Sequence, residues 1–148
     1  MGKIILVSAC LAGKPCRYDG GAKRSGAAMT CPEDGRIVPA CPEGMAGLPI
    51  PRPPAEIRGG DGFDVLKGDA KVYNKEGQEV TEEFLRGARK FLAYAQKIGA
   101  DEVRLKAKSP SCGVACIYDG TFEGRLREGC GVTCALLLQN GIKVVEIP

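Results

Sequence analysis

Three short strand-like stretches, each running into a cysteine, constrain this chain more than any other feature. Lys3-Ile-Ile-Leu-Val7 is a continuous apolar run of the kind buried on both faces of a parallel sheet, and it leads through Ser8-Ala9 to Cys10. Arg36 to Ala40 reads as a second short strand and passes directly into Cys41-Pro-Glu43-Gly44. Glu102 to Lys108 alternates, with Val103, Leu105 and Ala107 on one face, and delivers Ser109-Pro-Ser-Cys112-Gly113. In an open parallel sheet, ligands bind just beyond the carboxyl ends of the strands. Cys10, Cys41 and Cys112 are therefore expected to meet, brought together by the sheet and not by a local knuckle.

The intervening segments complete an α/β pattern. Thr81 is placed as the N-cap of the longest helix, with Glu82 and Glu83 in its first turn. Phe84, Leu85, Ala88, Phe91, Leu92, Ala95 and Ile98 share one face, and Gly99 is the stop. Thr133 to Gln139 reads as a short apolar helix ended by Asn140-Gly141, before a last strand over Ile142 to Ile147. A small-residue stretch running to Thr30 suggests another short helix. Hairpins are expected at Lys71 to Val80, around Glu76-Gly77, and at Ile117 to Leu126, around Asp119-Gly120. The proline-rich stretch from Gly47 to Gly62 is expected to be an ordered, lid-like loop, because proline donates no backbone hydrogen bond. The fold class that follows is a mostly parallel, doubly wound, Rossmann-like sheet flanked by helices, with small hairpin insertions.

At 148 residues the chain has the size of one domain, expected over 1–148. No apolar run approaches the roughly 20 residues of a membrane span, and no signal-peptide core is present, so a cytoplasmic location is expected. A net charge of +3, with basic residues scattered among acidic ones and no tryptophan, argues against a nucleic-acid polymer and for a small substrate. Nothing in the sequence sets the oligomeric state.

The chain has eight cysteines and no histidine. Proton transfer must fall to Glu, Asp, Lys, Tyr, Cys or a bound water, and Cys–His or Ser–His pairs are excluded. Without a secretory signal, that many cysteines points to metal or redox chemistry, and a thiolate-rich set suits zinc or an iron–sulfur cluster. The absence of Cys-x-x-Cys pairs disfavours structural zinc and leaves the cluster as the better candidate. Of the other five cysteines, Cys134 reads as core and Cys130 as its helix border. Cys31 lies in a loop, Cys116 near Cys112, and Cys16-Cys31 or Cys130-Cys134 are candidate disulfides. Three thiolates on a cluster would leave one iron open as a Lewis acid, which suggests catalysis.

Five motifs in order, Ser8-Ala-Cys10-Leu with Cys16-Arg-Tyr-Asp-Gly20, Pro39-Ala-Cys41-Pro-Glu43, Pro51-Arg-Pro-Pro-Ala-Glu56-Ile, Ser109-Pro-Ser-Cys112-Gly113 and Tyr118-Asp-Gly-Thr-Phe122, resemble the thiouracil desulfidase family over almost the whole chain. The resemblance implies a 4Fe-4S cluster on Cys10, Cys41 and Cys112, with the remaining iron receiving the sulfur of a thiolated nucleobase. It further implies that Glu43 and Ser109 act as the acid/base and positioning residues of a non-redox desulfuration giving uracil and hydrogen sulfide. Read from the residues alone, Glu43 is equally a helix-capping carboxylate and Ser109 a turn hydroxyl. Arg17, Tyr18 and Asp19 are expected to shape the pocket or pair with the backbone, and Arg52 and Glu56 to belong to a covering loop, with a structural salt bridge an equal alternative for each. The substrate is expected to be a small thiolated base or a tRNA-related one. A sulfur carrier and a noncatalytic zinc or redox module are the competing functions.

Overall fold

The structure, a computed structural model, describes residues 2–13, 17–19, 21, 25, 26 and 28–148. Strands β1 (Ile4–Ser8), β2 (Arg36–Ala40), β5 (Glu102–Lys106) and β8 (Val144–Ile147) form a four-stranded sheet in the order β2-β1-β5-β8. Every pairing in it is parallel. Ile5, Leu6 and Val7 are fully buried, which is why β1 is apolar throughout and not alternating. The Rossmann-like expectation is met.

Helices α3 (Thr81–Ile98) and α4 (Val132–Gln139) cover one face. There Phe91 and Ala95 of α3 and Cys134, Ala135 and Leu137 of α4 pack against Leu6, Val103 and Leu105. The other face is covered by the segment after β1, where Leu11 and Ala28 meet Val145 and Ile147. Arg104 fastens that segment to the sheet by donating to the carbonyls of Ala28 at 2.9 Å and Thr30 at 2.5 Å. Among the described residues no helix forms there, in contrast to the small-residue helix expected to run to Thr30.

Helix α3 ends as expected at Gly99, whose φ of 68° is the left-handed C-cap that glycine adopts without strain. Its start differs from expectation. Val80 is the N-cap, and Thr81 is the first helical residue, with its hydroxyl accepting from the Val72 amide at 2.9 Å. A buried strand amide thus takes the oxygen that was assigned to capping.

The proline-rich loop also needs correction. It closes with strand β3 (Ala55–Arg58), which pairs antiparallel with β4 (Lys71–Asn74). The four residues after Pro54 all retain their amides, so they are free to form a ladder that the preceding prolines cannot. The expected turn after β4 holds, with Gly77 at φ 84° and a bridge from Tyr73 to Glu79. The second hairpin pairs β6 (Cys116–Tyr118) with β7 (Leu126–Glu128). Helices α1 (Pro42–Met45) and α2 (Gly62–Lys67) complete the order, and Ile57, Val72, Phe84, Ile117 and Val132 form a second core beneath these hairpins. Among the described residues no helix is long and apolar enough to cross a membrane.

Candidate metal centre and active-site cavity

The register fixes where the three cysteines emerge. Ser8 lies opposite Ala40 across β1 and β2, so Cys10 and Cys41 leave adjacent strand ends, and β5 runs beside β1 toward Cys112 on the other flank. Cys10 sits in a 3-10 turn, Ala9–Ala12, that continues directly from β1. Cys41 is the N-cap of α1, and its sulfur accepts from the Gly44 amide at 3.4 Å. Pro42 at the first helical position loses nothing there, because that amide has no helical partner.

Cys112 is held by a more elaborate loop. Ser109 Oγ accepts from the amides of Ser111 at 3.0 Å and Cys112 at 2.8 Å. The first amides of α4 have no partner within their own helix, so they donate to the same loop: Val132 to the Pro110 carbonyl and Thr133 to the Ser111 carbonyl. The Ser111 and Thr133 hydroxyls meet at 2.7 Å in the core. Gly131 is required at this junction, since a Cβ would come within 2.4 Å of the Ser111 carbonyl group.

All three thiols line one cavity of about 720 Å³, together with Glu43, Ser109, Arg17, Tyr18, Arg52 and Glu56. Cys10 and Cys112 are buried and Cys41 is half-buried. Burial pushes the Cys112 thiol up to about 12; a hydrogen bond from Ser8 opposes this, while the neighbouring Cys41 and Glu43 add to it. Among the described residues no three Cys, Asp or Glu side chains converge tightly enough to hold a single ion. Three thiols on separate strand ends around shared space form a soft donor set that suits a multi-iron centre, gripped at several corners.

Glu43 does not cap α1; Cys41 does. Its carboxylate instead pairs with Arg52, whose side chain is only 5% exposed. Arg52 reaches this position because its amide donates to the Tyr18 carbonyl at 2.6 Å and its guanidinium to the Pro49 carbonyl at 3.2 Å. Glu56 makes no ion pair among the described residues, and its Oε1 accepts from the amides of Gly120 and Phe122. Asp19 accepts from the Gly21 amide in its own turn and is not part of the cavity wall.

With this geometry in place, the comparisons with known proteins bear on it directly. The family model described as 2-thiouracil desulfurase matches residues 5–147. The chain belongs to this family. A relative from Bacillus subtilis (strain 168), named uncharacterized protein YbbK, is 49% identical over 143 residues, covering 97% of this chain and 95% of its own length. A solved structure titled [4Fe-4S]-dependent thiouracil desulfidase TudS superposes with a TM-score of 0.83 at 44% identity, covering 99% of this chain and 91% of that one.

In this 2-thiouracil desulfurase-family chain, Ser8 has a role that sequence reading assigned to no residue. Its hydroxyl donates to Cys112 Sγ at 3.6 Å and accepts from the Lys106 amide at 3.1 Å. Ser8 stood inside the first motif, but its contact spans 104 residues and has no local signature. Two other residues were also missed. Lys108, with φ 74°, and Phe122, with φ 58°, are the non-glycine residues at positive φ among those described, and both line the cavity.

Among the described residues, the other cysteines do not line the cavity. Cys130 and Cys134 are free thiols, so the proposed disulfide between them is absent. Cys134 donates to Cys130 instead, which favours ionisation of Cys130 and pushes the Cys134 thiol up. Cys134 is fully buried in the core, as expected. Cys31 is free, with its thiol donating to the Pro32 carbonyl, while Cys16 falls outside the described residues.

Proposed function

We infer that this chain is a desulfidase that replaces the sulfur of a small thiolated nucleobase, such as thiouracil, with oxygen, using a [4Fe-4S] cluster held by Cys10, Cys41 and Cys112. The observation that carries this reading is the placement of three thiols and one carboxylate, Glu43, on the wall of a single cavity. Membership of the 2-thiouracil desulfurase family and the likeness to the solved [4Fe-4S]-dependent thiouracil desulfidase support it. When bound at three corners, the cluster supplies an open iron that acts as a Lewis acid toward the substrate's sulfur. The overall reaction is balanced without electrons: water and the thiocarbonyl give the carbonyl and hydrogen sulfide.

The residues around the cavity divide the remaining work. With no histidine in the chain, Glu43 is the base that takes a proton from water attacking the thiocarbonyl carbon and returns it to the departing sulfide. Arg52 fixes its orientation by engaging one carboxylate oxygen, Oε2. Ser109 Oγ already accepts two amide protons, so both lone pairs are committed and its O–H remains to donate. That makes Ser109 a donor to a polar edge of the substrate ring. The whole chain, 1–148, acts as one catalytic domain, and reduced thiols together with an oxygen-sensitive centre fit a cytoplasmic setting.

The test is anaerobic purification, reconstitution with iron and sulfide, and measurement of sulfide release from 2- and 4-thiouracil. Turnover that disappears in Cys41→Ala together with the brown absorbance supports the assignment. A protein that keeps its cluster yet releases no sulfide from either base, or from a thiolated tRNA, loses it. Sulfur loading without turnover would identify a carrier.

A further inference from the structure

Phe122 holds a backbone conformation that its side chain disfavours. At φ 58° it lies in the left-handed region, where Cβ crowds the carbonyl and a bulky residue is an outlier. Such conformations persist only where the surroundings over-determine them, and they concentrate at functional sites. Here the surroundings do so twice. Glu56, buried in β3, presents Oε1 to the Gly120 amide at 2.9 Å and the Phe122 amide at 3.1 Å. Arg58, two residues along the same strand, donates from Nε to the Gly120 carbonyl at 3.0 Å. Its guanidinium lies 5.8 Å from the Phe122 ring centroid and 5.0 Å from that of Tyr73.

A turn that needed only to reverse direction would use glycine or asparagine at this position. Instead, a carboxylate and a guanidinium are committed to holding an aromatic ring, half-buried, on the wall of the cavity that also holds Glu43 and Ser109. A flat, apolar, rigid surface beside polar groups recognises a planar heteroaromatic ring: stacking supplies affinity without hydrogen bonds, and the polar groups supply orientation.

We propose that Phe122 is the stacking wall for the planar ring of the substrate, with Glu56 and Arg58 as the positioning residues that hold it there. The substrate class rests on the desulfidase reading above; the stacking geometry does not.

The experiment follows binding and turnover separately on the reconstituted holoenzyme. Equilibrium dialysis with radiolabelled uracil reports ring binding without chemistry, and sulfide release from 4-thiouracil gives KM and kcat. Phe122→Ala is expected to weaken uracil binding and raise KM about tenfold, the effect of losing one base–aromatic stack, with kcat nearly unchanged and Phe122→Tyr restoring both. Glu56→Ala is expected to raise KM similarly, while Glu56→Gln, whose amide oxygen accepts the same two protons, retains binding. Uracil binding unchanged in Phe122→Ala overturns the proposal, as does a KM loss that Phe122→Tyr fails to rescue. Wild-type protein that binds uracil through Phe122 but releases no sulfide keeps the wall and loses the desulfidase reading. Failure of the wild-type protein to bind uracil or react overturns both.

Discussion

Ser8 shapes the environment of Cys112 with one hydroxyl. Its O–H donates to the Cys112 sulfur while its oxygen accepts from the Lys106 amide. A donor to a cluster-bound sulfur disperses the negative charge that reduction adds, and so raises the reduction potential. Ser8→Ala in the reconstituted protein is expected to shift the cluster potential to a more negative value, read by voltammetry. Its cost in folding stability is expected to be about 1 kcal/mol, the ordinary net worth of a buried hydrogen bond. Glu43→Gln tests the carboxylate of the same cavity. The amide still accepts from Arg52 but takes up no proton, so kcat for sulfide release is expected to fall by about 10²–10⁴-fold while the cluster's absorbance is unchanged. Equal turnover in Glu43→Gln would move the proton transfer to another group.

At the scale of elements, the position of Glu43 depends on a close approach between two helices. Gly87 of α3 faces α1, and a Cβ there would stand 2.3 Å from the Pro42 carbonyl oxygen and 3.1 Å from the Ala46 side chain. Alanine is the better helix former by about 1 kcal/mol, so an exposed Gly→Ala change in a helix normally stabilises. Here the backbone contact outweighs propensity. Gly87→Ala is expected to destabilise the fold by about 1–3 kcal/mol in denaturant titration and to reduce turnover, because α1 must shift and carry Glu43 with it.

The same contrast explains what was legible in the sequence. β1, β2 and β5 could be read because their apolar patterns are local, and the rule that parallel-sheet ligands gather at carboxyl ends then placed Cys10, Cys41 and Cys112 around one space. Other features required partners distant in sequence. β3 exists because Ala55–Arg58 finds β4, and Thr81 leaves its capping position because the Val72 amide is there to be satisfied. The Glu43–Arg52 pair and the Ser8–Cys112 contact likewise arise from folding, with no spacing that announces them.

Across the whole molecule, the cavity and the Glu102 ion-pair network lie at opposite ends of the sheet. The carboxyl ends of the strands open onto the cavity, whereas Glu102, at the start of β5, gathers Lys3 at 3.1 Å, Arg104 at 2.7 Å and Lys143 at 3.5 Å. These cations come from the approach to β1, from β5 itself and from the approach to β8, so one carboxylate ties three neighbouring strands together. Burial raises the Glu102 pKa, but the bonds from Arg104 and Lys3 more than offset this and hold it at about 2, below its ordinary 4.5. A folded pKa below the unfolded one means that the stabilisation is fully present above about pH 4.5 and is lost as the pH falls toward 2. The Lys3 and Lys143 side chains are 38% and 64% exposed, so solvent screens much of this attraction and the stabilisation at neutral pH is on the order of 1 kcal/mol. Glu102→Gln is therefore expected to lower stability at neutral pH, while making the remaining stability less dependent on pH between 4.5 and 2 than in the wild-type protein; chemical denaturation across that range reads both effects. Because Glu102 lies at the far end of the strands from Cys10, Cys41 and Cys112, the folded variant is expected to release sulfide at the wild-type rate. A variant with unchanged stability but lower turnover would show that the network at this end reaches the cavity, contrary to the separation argued from the sheet.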